Sequence, residues 1–141
     1  MFVKTQIKPQ SLLDLVEELS DLLISLEIPP PYIMVGHSFE GLIVRLFASI
    51  YPKDITGVIL VDAAAEFKEL AYESVLPEKL LERNRKYVQN PDLNLEKIDK
   101  VRSYQQVIDH SLQMDSPLSI IIRGLLNVYE KSFKFYCSFN A

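Results

Sequence analysis

Two short apolar runs constrain this chain more than any other feature: YIMV, from Tyr32 to Val35, and GVILV, from Gly57 to Val61. Neither run alternates with polar residues. An uninterrupted stretch of this kind reads as a strand covered on both faces, which is the habit of parallel sheets. The segment between them, residues 39 to 50, reads as a helix. Leu42, Leu46, Phe47 and Ile50 recur on one side, and Pro52 stops it. Strand, helix, strand in that order is a βαβ unit, so the expected fold class is α/β with a few-stranded parallel sheet and flanking helices.

A further helix is predicted from Leu12 to Leu26, where Leu12, Leu15, Val16, Leu19, Leu22, Leu23 and Leu26 fall at helical spacing. Ser11 is placed to cap it, with Asp14 completing a capping-box-like pair. Pro29, Pro30 and Pro31 end that helix and force an extended entry to the first strand. After Asp62 the character changes. Residues 66 to 74, 77 to 89 and 95 to 113 are predicted helical and more polar, broken at Pro77 and at Asn90-Pro91, with Asn94 as the expected cap of the last. Pro117 then leads into LSIII, Leu118 to Ile122, a third strand, followed by Arg123-Gly124. The expected division is a core of residues 1–65 and 115–126, a helical cap-like insertion at 66–114, and an irregular aromatic tail at 127–141.

Composition narrows the function. A net charge of −4 with no block of like charges excludes a nucleic-acid surface or a polybasic membrane patch. No apolar stretch has the ~18 residues a membrane span requires, and the first ten residues lack a signal-like run. Cys137 is the only cysteine, so no intrachain disulfide forms. A reducing, cytoplasmic location is therefore expected. No His, Cys and carboxylate cluster has metal-ligand spacing, and no glycine-rich phosphate loop is present. No metal or cofactor is expected.

The junction between the first strand and its helix reads VGHSFEGL. A small residue, Gly36, stands two before Ser38, as in the G-x-S-x-G turn that presents a serine hydroxyl at the carboxyl end of a sheet. Such a turn holds the serine in a strained backbone conformation and aims the next amide, that of Phe39, at a developing oxyanion. A turn or helix-capping serine is the plain alternative.

With these residues in view, PPPYIMVGHSFEGLIVRLFASIYPKDITGVILVDAAAE, residues 29 to 66, resembles the central segment of α/β-hydrolase-fold proteins. The elbow strand, the elbow of Gly36, His37, Ser38, Glu40 and Gly41, the following helix and the next strand ending in Asp all match in order. The helix before residue 29 fits, residues 66 to 114 sit where that family places its cap, and Leu118 to Gly124 resembles the strand after the cap. The resemblance implies a partial α/β-hydrolase fold and acyl transfer, usually hydrolysis of an ester or similar bond in a small-molecule acyl substrate. It implies Ser38 as nucleophile and the Phe39 amide as oxyanion donor.

Serine needs a base, and the base an orienting acid. His37 is expected to point away from the Ser38 hydroxyl, and His110 falls in the predicted helix 95–113. Asp62 ends the second strand at the edge where sites form. It is a candidate acid, with a structural role as the alternative. Glu130 follows the third strand without the family's Gly-x-x-Asp spacing, and residues 1 to 10 hold no glycine for a second oxyanion loop. Fewer strands are legible than that family uses. The expectation is a truncated or degraded copy that is weakly active or inactive, with exposed sheet edges favouring self-association. The alternative is a non-catalytic binding module.

Glu40 replaces the second small residue of the motif. Crowding is expected to cost ~1–3 kcal/mol. A carboxylate about 6 Å from the oxyanion, at an effective dielectric of about 20, adds repulsion of about 3 kcal/mol.

Overall fold

A computed structural model of the chain describes residues 8–94, 97–110 and 117–122. Three parallel strands form one sheet in the order β1 (Tyr32–His37), β2 (Ile55–Val61), β3 (Leu118–Ile121). Helix α1 (Leu12–Ser25) precedes β1, and α2 (Glu40–Ile50) joins β1 to β2. Helices α3 (Lys68–Val75), α4 (Glu78–Gln89) and α5 (Lys100–Asp109) lie between β2 and β3. The α/β expectation holds, with a few-stranded parallel sheet and flanking helices. The predicted Glu130, Cys137, Arg123-Gly124 and the 127–141 tail lie outside the described residues.

Register decides which side chains meet the helices. Val35 pairs with Ile59, Gly36 with Leu60 and His37 with Val61, while Leu60 pairs with Ile120 and Val61 with Ile121. Successive residues of a strand face opposite sides. Met34, Val58 and Leu60 pack into the core beside Leu42, Leu46 and Phe47 of α2 and Leu12 and Val16 of α1. The opposite side carries Ile33, Val35 and Ile121, which are 68%, 60% and 55% exposed. Among the described residues that side is uncovered. The two-sided burial expected of YIMV is therefore half realised: the helices gather on one side of the sheet.

The first turn of α1 shows how distant segments are tied. The Ser11 amide and hydroxyl both donate to Asp14 Oδ2 at 2.7 Å, the capping pair the sequence predicts. Those bonds hold the Asp14 carboxyl below its ordinary value. The next two amides are satisfied from α5. Leu12 N–H donates to Ser103 Oγ at 3.2 Å, and Leu13 N–H to Gln106 Oε1 at 3.1 Å. Gln106 Nε2 donates in turn to Ser11 Oγ at 3.0 Å. Tyr104 and Val107 of the same helix enter the hydrophobic core. Asp99 N–H donates to Gln10 carbonyl oxygen at 2.8 Å, beside a parallel bridge between Gln10 and Ile98.

Asn94 does not cap α5. Its side chain closes on Ile98, accepting that amide at 2.7 Å and donating to that carbonyl at 3.0 Å. Both of its hydrogen-bonding groups are spent on this buried loop. The helix accordingly starts later, with Asp99 as its cap accepting the Arg102 amide at 3.0 Å.

Candidate functional site

The turn at Ser38 is built by close packing on one side and hydrogen bonds on the other. Gly36 is buried at the end of β1, where a Cβ would stand 2.7 Å from Gly41 Cα and 2.9 Å from the Glu40 carbonyl oxygen. A Cβ on Gly41 would stand 2.5 Å from Ala63 Cβ. Strand, helix and the segment after β2 thus approach as closely as backbones allow, and only residues without side chains fit at 36 and 41.

Ser38 follows β1 directly and takes a left-handed backbone, φ 52°. For a residue with a Cβ that conformation costs roughly 1–2 kcal/mol. Hydrogen bonds from both flanks hold it. Ser38 N–H donates to the Val61 carbonyl at 3.2 Å, and its own carbonyl accepts the Ala64 amide at 2.8 Å and the Gly41 amide at 3.3 Å. The residue is exposed. Phe39 is already helical, φ −66° and ψ −34°, and starts α2. Its amide has no acceptor among the described residues.

Glu40 is exposed in the first turn of α2. The crowding expected at this position is absent: the side chain swings outward, and the tight contact falls one residue later, between Gly41 and Ala63. The motif spacing drew attention to residue 40, whereas the geometry needs the missing Cβ at 41. Exposure also lets water screen the Glu40 charge, so the repulsion expected from it is reduced.

Asp62 follows β2 as Ser38 follows β1, since the last register pair is His37 with Val61. It too is left-handed, φ 45°, and its amide donates to the Ile121 carbonyl at 2.7 Å. Adjacent strands lie about 4.8 Å apart, so the two positions are neighbours at the carboxyl edge of the sheet. The histidines lie otherwise. His37 is exposed, on the same side of the sheet as Val35. His110 Nδ1 is 2.8 Å from the Gln106 carbonyl at the far end of α5. Lys100, at the near end, touches the Phe39 ring. Ten residues of helix separate Lys100 from His110, roughly 15 Å along the axis. The structure therefore brings Asp62 beside Ser38 and leaves His110 distant.

Arg45 of α2 grips Glu66, just beyond the turn, through two hydrogen bonds of 2.6 and 2.9 Å. The bond to Arg45 holds the Glu66 carboxyl below its ordinary value against the opposing effect of burial. This fork fixes the segment after β2 to the helix that carries the turn. Tyr104 hydroxyl approaches Glu69 Oε1 at 3.5 Å, and burial first, then Glu69, pushes its ionisation above the ordinary range. Neither group was legible as a site feature, because each contact joins segments with no fixed sequence spacing.

A groove of about 550 Å³, lined by Gln89, Asp99, Arg102, Gln106 and Asp109 among others, shares no residue with the turn. Among the described residues no three His, Cys, Asp or Glu side chains converge as metal ligands would, and no helix is long and apolar enough to cross a membrane.

No protein-family model matches the chain. It is 33% identical over 61 residues to "Probable transporter efuK" of Hormonema carpetanum, a match covering 42% of this chain and 9% of that protein. It is 35% identical over 65 residues to "Uncharacterized protein YqjL" of Bacillus subtilis (strain 168), covering 46% of this chain and 25% of that one. The chain thus spans a minor part of the length of either relative. Among solved structures it is similar to "a putative lipase (lip1)" from Acinetobacter baumannii AYE, at 18% identity and a TM-score of 0.42, with 79% of this chain and 44% of that chain covered.

Proposed function

We propose that this chain carries the nucleophile turn of an α/β-hydrolase-like acyl-transfer site, with Ser38 as the attacking residue. One observation carries the reading. Ser38 holds a left-handed backbone at the carboxyl end of a parallel strand, exposed, next to the Phe39 amide, which has no acceptor among the described residues. Strain of this kind persists where the surrounding structure imposes it and clusters at functional sites. An amide at the start of α2 is placed to stabilise an oxyanion. Asp62 is the neighbouring acid candidate, and the substrate class is a small ester or similar acyl compound. Neither described histidine is positioned as a base, so the expected turnover by these residues alone is weak or nil. The core of 1–65 and 115–126 with a cap-like 66–114 belongs to the same proposal.

A fluorophosphonate probe tests this reading. Labelling of folded protein that disappears in Ser38→Ala supports it, and an unlabelled folded chain overturns it.

A second reading has its own observation. The uncovered side of the sheet, with Ile33, Val35 and Ile121 exposed, suits a binding module or self-association. Sedimentation that stays monomeric at high concentration, with ester turnover lost in Ser38→Ala, excludes it.

A further inference from the structure

One ammonium group joins the Ser38 turn to the helices that follow β2. Lys100, the first residue of α5, holds its Nζ 4.9 Å from the centre of the Phe39 ring and 4.6 Å from that of the Tyr87 ring. Phe39 stands directly after Ser38 and starts α2, whereas Tyr87 belongs to α4. Three segments with no fixed sequence spacing therefore meet at one charge. An ammonium within about 6 Å of a ring centre is attracted by the negative face of the ring. Attracted to two rings at once, Lys100 restrains both.

The backbone around the lysine is anchored. Asp99, the residue before it, donates its amide to the Gln10 carbonyl at 2.8 Å, and its own carbonyl accepts the Ser103 hydroxyl at 2.6 Å. Ser103 Oγ in turn accepts the Leu12 amide. The start of α5 is thus tied to the start of α1 on both sides of Lys100. Helix α4 is held as well. Asn84 donates to Glu69 of α3, which also faces the Tyr104 hydroxyl of α5, and Val88 packs against the hydrophobic core.

Phe39 is the residue whose amide the acyl-transfer reading assigns to the oxyanion. That amide has no acceptor among the described residues, so no hydrogen bond there fixes its direction. Its direction follows the backbone at Ser38 and Phe39. The half-buried Phe39 ring is the handle on that backbone, held by the core and by Lys100.

We infer that Lys100 is a positioning residue for the Ser38 turn. Its ammonium, clamped between Phe39 and Tyr87, fixes the residue that carries the oxyanion amide and couples it to α4 and α5. The role in acyl transfer rests on the reading of Ser38 given above; the clamp on Phe39 stands without it. An oxyanion donor contributes through being preorganised. Loosening Phe39 therefore slows attack by Ser38 and leaves probe binding unchanged.

The test uses the full chain. By NMR, the Cε protons of Lys100 should be shifted upfield by the two ring currents and return toward their ordinary position in Tyr87→Leu. The Phe39 amide resonance should move in Lys100→Met and in Tyr87→Leu, and much less in Lys100→Arg, whose guanidinium also stacks on aromatic faces. With a fluorophosphonate probe, the limiting rate of Ser38 labelling should fall roughly threefold to tenfold in Lys100→Met and Tyr87→Leu. The half-saturating probe concentration should not change, and Lys100→Arg should recover the rate. Tyr87→Leu alters neither the turn nor the lysine, so it decides the case if Lys100→Met does not fold. Unshifted Cε protons in the native chain overturn the clamp. Equal limiting rates in the folded variants overturn the positioning role and keep acyl transfer. A native chain that is not labelled, with the Phe39 amide moving as described, refutes acyl transfer and keeps the clamp.

Discussion

Ser38 and Asp62 stand at the ends of neighbouring parallel strands, one residue beyond the pair His37 and Val61, and both take left-handed backbone, with φ of 52° and 45°. Aspartate tolerates that region because its short polar side chain bonds locally, whereas serine gains less from it. The strain at the turn is thus concentrated on Ser38.

Replacing Ser38 by glycine should therefore stabilise the chain. Removing the Cβ penalty outweighs the extra freedom glycine has when unfolded, for a net gain of about 0.5–1 kcal/mol. Ser38→Ala should give no such gain. Urea unfolding of the two variants checks this, and equal midpoints would show that the turn is unstrained.

Glu40→Gly should lower stability by about 0.5–1 kcal/mol, since it puts glycine in a helix and removes a carboxylate from the positive end of the dipole. Gly36→Ala should be the damaging change at this turn. Its new Cβ meets backbone at 2.7 Å, which nothing flexible can relieve. A loss of about 1–3 kcal/mol is expected. Thermal denaturation of both variants reverses this ranking if Glu40 crowds the turn after all.

The Arg45–Glu66 fork predicts a pH dependence. The carboxyl of Glu66 is lowered from its ordinary 4.5 in the folded chain. Its contribution is therefore fully present above pH 4.5 and fades as pH falls through the folded value. Glu66→Gln should cost about 1–3 kcal/mol at neutral pH and flatten that part of the acid limb. Stability measured from pH 7 down to pH 3 in both chains decides the matter; parallel curves would sink the assignment.

Ser103→Ala should destabilise more than its size suggests. It leaves the buried Leu12 amide without an acceptor, at a cost of about 1–3 kcal/mol. Hydrogen exchange at Leu12 gives the specific signature: the amide should lose protection in Ser103→Ala and keep it in Ser49→Ala, where the hydroxyl bonds only within its own helix.

The sheet and its two nearest helices were legible because apolar runs and helical periodicity are local. The Ser38 turn was legible for the same reason, since Gly36 and Ser38 are close in sequence. What escaped was cross-chain chemistry. Ser103 and Gln106 lie in a segment expected only to be helical and more polar, yet they are buried against α1 as acceptors of its first amides. Asn94 read as a helix cap because its type favours one, and the loop at Ile98 claimed it instead. Lys100 carries no motif, and only the fold brings it to the rings of Phe39 and Tyr87. Glu40 was overweighted because a spacing rule names a position, while packing acts through the nearest atom.

The bonds from α5 to the start of α1 set an order on synthesis. Leu12 leaves the ribosome 91 residues before the hydroxyl that will accept its amide. Helix α1 is thus completed late: its first two amides wait for acceptors not yet translated. A pause or a proteolytic nick in that interval leaves the first turn of α1 open until α5 arrives.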